Sequence, residues 1–154
     1  MSNLIEKNQY VWVERYRPKS IDDVILPKSV KKALKGIIKK GDLTNLLFYG
    51  SAGCGKTSSA KAICEQLGFD YMFINGTNCG VDTARYTFPQ FASSLSLEND
   101  KRKVIIIDEA EKMSESFSQA FNSFIEEYSD NCAFILTTNF PNRLLPSLRS
   151  RLND

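Results

Sequence analysis

L-L-F-Y-G-S-A-G-C-G-K-T, residues 46–57, is the stretch that decides how this chain folds. It opens with a short apolar run, the mark of a buried strand. From Gly50 to Thr57 it then matches G-x-x-x-x-G-K-[ST]. Glycines let the backbone curl so that successive N–H groups point inward, a concavity suited to phosphate oxygens. The residues from Lys56 to Leu67 read as a helix, whose N-terminus adds unpaired N–H groups and the positive end of its dipole. Lys56 places a point charge on the β- and γ-phosphates, and Thr57 offers a hydroxyl to Mg²⁺. A glycine-rich turn with a chance lysine would not also fall between a strand and a helix.

Outward from this loop, strand and helix patterns alternate. Residues 71–75, 104–107 (V-I-I-I) and 133–137 read as strands. Residues 28–40 form a helical pattern with Val30, Leu34, Ile37 and Ile38 on one face, lysines on the rest and Gly41 as its stop. A helix is expected over 82–97, interrupted by Pro89, and another over 114–128 with Phe117, Phe121, Phe124 and Ile125 on one side. Residues 1–27 read as an extended arm with turns at Pro18 and Pro27. Strands alternating with helices mean an α/β fold: a parallel sheet with helices on both faces. Ligands of such sheets sit beyond the carboxyl ends of the strands.

The totals fit one domain. The chain has 154 residues, 42% of them hydrophobic, and a net charge of +2, which argues against a polycation but allows a local basic face. No apolar run approaches the ~18 residues a membrane span needs. The N-terminus has no apolar signal core, so the expected location is cytoplasmic, with no membrane partner. The four cysteines, Cys54, Cys64, Cys79 and Cys132, form no C-x-x-C pair, and there is no histidine. Reduced, mostly packed thiols are expected rather than zinc ligands or a disulfide framework.

Two more strand ends complete a candidate site. V-I-I-I-D-E delivers Asp108 and Glu109 to the crevice that holds the phosphate loop. Asp108 suits the Mg²⁺ shell, and Glu109 suits orienting and activating an attacking water. Asn139, after the fourth strand, is a short amide able to hold a water or the γ-phosphate. Phosphoryl transfer also calls for an arginine finger, often from a neighbouring subunit. Arg149 and Arg151, in P-S-L-R-S-R-L, are the candidates.

These residues together resemble the AAA+ ATPase subunits of sliding-clamp loaders, both the T-even-type phage subunit and the replication factor C small subunits. W-V-E-R-Y-R-P at 12–18 and I-D-D-V-I-L-P at 21–27 are similar to that family's adenine-binding segment. I-I-I-D-E-A-E at 105–111 resembles its D-E-A-D box, with Glu111 replacing the last Asp. T-T-N matches its first sensor, and L-R-S-R-L at 148–152 resembles its S-R-C motif, with Leu152 in place of Cys. The resemblance spans essentially all of residues 1–154 as one ATPase core, with 1–27 as the adenine-binding segment and 28–154 as the P-loop unit.

The resemblance implies roles position by position. Val13, Glu14, Arg15, Tyr16 and Ile25 would surround the adenine and ribose of ATP. Gly53, Cys54, Gly55, Lys56, Thr57 and Ser58 would hold its phosphates, and Thr57 and Asp108 the Mg²⁺. Glu109 would be the catalytic carboxylate, Asn139 the sensor, and Arg151 the finger acting on a neighbour's ATP, with Arg149 second choice. Implied partners are other clamp-loader subunits in a hetero-oligomer, a sliding clamp and primer–template DNA, within the host cytoplasm if the chain is phage-encoded. Arg85 and the lysines of 28–40 are candidate DNA contacts, though a solvated lysine face is the plainer reading of that helix.

In that family a fifth strand, a helical lid and a collar follow the S-R-C motif. This sequence stops before them, so the expectation is a core lacking the fifth strand and lid, with strand 46–49 at an apolar edge. The rival expectation is a split or truncated module that binds partner subunits with little turnover. Another AAA+ machine, such as a branch-migration helicase, shares the nucleotide motifs, and W-V-E-R-Y-R-P weighs against it.

Overall fold

The computed structural model describes residues 17–94 and 102–152. A three-ten turn at Ile21–Asp23 is capped by Ser20, whose side chain accepts from Asp22 N–H. Helix α1 (Lys28–Lys40) follows and stops at Gly41, which takes the left-handed φ of 70° that ends helices cheaply in glycine. Then come β1 (Leu46–Tyr49), α2 (Lys56–Leu67) and β2 (Tyr71–Asn75). Next are α3 (Phe88–Ser93), β3 (Lys103–Asp108), α4 (Glu115–Tyr128), β4 (Cys132–Thr138) and the short α5 (Pro146–Arg149). The bounds of α1, β1, α2 and β2 are those the sequence pattern predicts.

The four strands form one parallel sheet in the order β1-β4-β3-β2. Alternate residues of β3 feed opposite cores, as strand geometry requires. Val104 and Ile106 join Leu34, Leu46, Ile63 and Ile135 on the α1–α2 face. Ile105 and Ile107 join Phe88, Phe117, Phe121, Phe134 and Leu148 on the α3–α4–α5 face. Residues Val104 to Ile107 are 0% exposed, so the sheet is covered on both sides. The second core is largely aromatic: Phe121 meets Phe88 at 5.7 Å and Phe134 at 5.4 Å between ring centroids, both edge-on.

The sequence pattern predicts one interrupted helix over 82–97. The structure instead has a π turn at Thr83–Thr87 running into α3, and residues 95–97 lie outside those described. Pro89 is the cause. It has no N–H, and its ring crowds the carbonyl a turn earlier. The wider turn admits it near the start of α3 while Phe88 stays fully buried.

Within the described residues β1 lies at an edge, beside β4. Its Leu46 and Leu47 are nevertheless buried in the two cores, and its exposed apolar residue is Tyr49. At the opposite pole from the strands' carboxyl ends, Arg102 donates to the carbonyls of Leu43, Ser129 and Cys132. Its neighbour Lys103, buried, donates to Phe91 O and Ser94 Oγ at the end of α3. These two cations tie loops to the amino-terminal end of the sheet.

Candidate nucleotide site

All four strands end at one rim, and the candidate residues sit along it. Gly55 precedes α2 with φ 86°, a left-handed conformation open to glycine. A Cβ there would also press on Val24 Cγ1 at 3.2 Å, because the arm before α1 passes against the loop. Lys56 Nζ donates to the carbonyls of Gly50 at 3.0 Å and Ser51 at 2.8 Å, so its ammonium is drawn into the curl of the loop. Cys54 is exposed, with Sγ 3.6 Å from that ammonium.

Opposite the loop, Thr57 and Thr137 both donate their hydroxyls to Asp108 Oδ1, at 2.6 and 2.5 Å. Thr137 Oγ1 also accepts the Glu109 N–H at 3.2 Å. One buried threonine on β4 therefore fixes both acidic residues at the end of β3. The hydroxyl of Thr57 and the carboxylate of Asp108, in contact, are the hard oxygen donors that Mg²⁺ prefers. The residues fit that ion, and the loop with Lys56 fits a polyphosphate.

Glu109 has φ 53°, the one non-glycine residue with positive φ among those described. Such strain persists only where the surroundings impose it. Gly76 is part of what imposes it: a Cβ at Gly76 would lie 2.4 Å from Glu109 O. The Glu109 carboxylate accepts from Lys112 Nζ at 2.8 Å and from Asn75 Nδ2 at 2.9 Å. These two donors, Lys112 first, hold its pKa below the usual carboxylate value, and the same pairing raises that of Lys112. Glu111 accepts from Thr138 Oγ1 at 2.6 Å and so braces the neighbouring strand end.

An apolar cavity of about 580 Å³ opens beside the loop. Leu26, Val30, Leu34 and Ile37 line it from the arm and α1, Leu46 to Tyr49 from β1, and Cys54 and Lys56 from the loop. Val30, expected on the buried face of α1, is 42% exposed because it faces this cavity.

The structure thus brings Lys56, Thr57, Asp108 and Glu109 together, with Gly53, Cys54, Gly55 and Ser58 in and after the loop. Asn139 follows β4 directly, half-buried at the same rim. Ile25 has its backbone against Gly55 but its side chain 96% exposed, and Leu26 rather than Ile25 lines the cavity. Val13, Glu14, Arg15 and Tyr16 lie outside the described residues. Arg149 and Arg151 belong to α5 and the residues after it. Arg151 is bonded to Glu126 and to the carbonyl of Ser147. Asn75, Lys112 and Gly76 were not signalled by the sequence, and Thr137 was signalled only as part of T-T-N, without its contacts to Asp108 and Glu109. The roles of Asn75, Gly76 and Thr137 come from strand adjacency, Asn75 standing beside Asp108 in the register of β2 and β3, and that of Lys112 from the three-ten turn after Glu109.

A phosphate loop that opens onto a hydroxyl–carboxylate pair at the carboxyl rim of a parallel sheet defines the P-loop nucleoside triphosphatases. Within that class the chain belongs to the AAA family: the model of the "ATPase family associated with various cellular activities (AAA)" matches residues 46–154. The chain is 38% identical over 149 residues to the sliding-clamp-loader large subunit of Escherichia phage RB69, covering 96% of this chain and 46% of that protein. It is 32% identical to the replication factor C small subunit of Methanococcus vannielii, covering 93% of this chain and 47% of that one. Among solved structures, the Thermotoga maritima RuvB Holliday junction branch migration motor superposes with a TM-score of 0.72 at 26% identity, over 90% of this chain and 47% of that one. The chain spans about half the length of the curated relatives it matches. Among the described residues no helix is long and apolar enough to cross a membrane.

Proposed function

We propose that this chain is the ATP-binding and hydrolysing core of a sliding-clamp-loader subunit, coupling ATP to the opening of a clamp and its loading on primer–template DNA. The observation that carries the reading is the reach of the likeness to the phage clamp-loader subunit, 38% identity over 96% of this chain, against 26% for RuvB. The site geometry supports the chemistry. Residues 53–58 cradle the phosphates, with Lys56 leaving the loop carbonyls for phosphate oxygens. The cavity beside β1 receives the base, and Val13, Glu14, Arg15, Tyr16 and Ile25 are the residues assigned to adenine and ribose by the likeness to clamp-loader subunits. Thr57 and Asp108 hold Mg²⁺, which when bound neutralises charge on the phosphates. Glu109 orients a water and takes its proton, and Asn139 positions that water or the γ-phosphate. Arg151 acts as a finger on the nucleotide of an adjacent subunit in a hetero-oligomer.

The rival is a module that assembles with partner subunits and turns over little ATP itself. ATP turnover of the assembled complex, with clamp and primer–template DNA, separates the two. Under the motor reading clamp and DNA accelerate turnover, and Glu109→Gln binds ATP but stalls. A Glu109→Gln complex that behaves as wild type refutes hydrolysis at this site. Stimulation by a four-way junction, and not by clamp and primer–template, would move the reading to branch migration.

A further inference from the structure

Two helical turns meet by matched polar pairs on the α3–α4–α5 side of the sheet. α4 carries Asn122 and Glu126 one turn apart, and the chain from α5 onward carries Ser147 and Arg151 at the same spacing. Asn122 Nδ2 donates to Ser147 Oγ at 2.8 Å. Arg151 donates from one terminal nitrogen to Glu126 Oε1 and from the other to the Ser147 carbonyl. Between them Leu148 and Leu152 are buried in the core, at 0% and 7% exposure. Packing therefore fixes the backbone of this segment, and the polar pairs fix what projects from it.

We propose that Glu126 is a positioning residue for Arg151. It holds the guanidinium in one orientation, so that the donors not used by Glu126 and Ser147 meet the phosphates of a nucleotide bound by the neighbouring subunit. The inference rests on the reading of Arg151 as a finger in trans. A guanidinium has five N–H donors; two are committed here and three remain. A long flexible cation stabilises developing charge best when its orientation is set before the reaction. Stability does not explain the pair. The side chains of Arg151 and Glu126 are 31% and 62% exposed, and exposed ion pairs of this kind add little to folding. The requirement is for a hydrogen-bond acceptor at position 126, with charge secondary, because the contact acts through direction.

The test is DNA-stimulated ATP turnover in the assembled complex, with assembly checked by mass. Arg151→Ala is expected to lose ~10³-fold in kcat. Glu126→Ala is expected to lose about 10-fold in kcat with the KM for ATP unchanged. Glu126→Gln, which keeps an acceptor oxygen, should stay within about 2-fold of wild type, and Glu126→Lys should be at least as slow as Glu126→Ala. The double variant Glu126→Ala/Arg151→Ala should be no slower than Arg151→Ala alone. Wild-type turnover by Glu126→Ala or Glu126→Lys, beside an impaired Arg151→Ala, overturns the positioning role and leaves the finger standing. So does a full additional loss in the double variant. Wild-type turnover by Arg151→Ala overturns the finger itself, and this inference with it.

Discussion

Replacing Gly76 by alanine tests how the catalytic carboxylate is held. The new Cβ would lie 2.4 Å from the Glu109 carbonyl oxygen and 3.2 Å from its carbonyl carbon. Real Cβ contacts essentially never fall under 3.0 Å, so one of the two backbones must move by at least about 0.6 Å. Gly76 and Glu109 each directly follow the paired Asn75 and Asp108, so the shift falls on the turns that leave the two strands, one of which carries Glu109. A misplacement approaching 1 Å at a reacting group costs ~10²-fold, so kcat should fall ~10- to 100-fold. Overpacking of this kind costs about 1–3 kcal/mol of stability. ATP affinity should change by less than about 3-fold, since the atoms nearest the new Cβ belong to Glu109 and Ala110 and not to the phosphate loop. Gly80→Ala is the control, because nothing lies within 4 Å of its added Cβ. The measurements are turnover in the assembled complex, calorimetric ATP binding and a thermal melt, on both variants. Equal kcat for Gly76→Ala and Gly80→Ala would refute the argument that Gly76 sets the position of Glu109.

Other expectations follow from the same geometry. Phe121→Ala empties the centre of the aromatic core, where Phe121 is 0% exposed, and should cost about 3–5 kcal/mol in a denaturant titration. Lys112→Met removes the larger of the two donors that lower the Glu109 pKa. With the depressed value, Glu109 stays ionised down to a pH below the ordinary carboxylate range. Without Lys112 its pKa rises, so the acid limb of the kcat–pH profile should shift to higher pH; an unmoved limb would exclude Glu109 as the group titrating there. Burial pushes the thiols of Cys64 and Cys132 up to about 12 and that of Cys79 to about 11, whereas Cys54 is exposed. Iodoacetamide at pH 8 should therefore label Cys54 alone in the native protein, and bound ATP should slow it, as read by peptide mass. Thr137→Val leaves the Glu109 N–H without its acceptor and removes one of the two hydroxyls that hold Asp108, and should raise the Mg²⁺ concentration needed for half-maximal turnover.

The sequence carried the parts of this molecule that depend on local order. Periodicity and stop signals placed α1, β1, α2 and β2, and the Walker-type spacing placed Lys56 and Thr57. The acidic pair after V-I-I-I was legible because it shares the chain with a phosphate loop; alone, charge at a strand's end marks the start of a loop as readily as a site. The π turn was not, since the pattern around Pro89 is compatible with a break as readily as with a widened turn. Asn75, Gly76 and the contacts of Thr137 were invisible for a different reason. Each acts on Asp108 or Glu109 from a neighbouring strand, and which strands are neighbours is a property of the order β1-β4-β3-β2 rather than of any window of residues. Lys112 was near enough in sequence, yet its reach to Glu109 depends on the three-ten turn at Ala110–Lys112.

The left-handed backbone at Glu109 sets two kinds of selection against each other. Glycine would sit in that conformation without the side chain's steric cost, about 1 kcal/mol. A library selected only for heat resistance should drift toward glycine at this position, and one selected for ATP turnover should refuse it. Residue 109 would then report, in any evolved variant, which pressure its lineage had last answered.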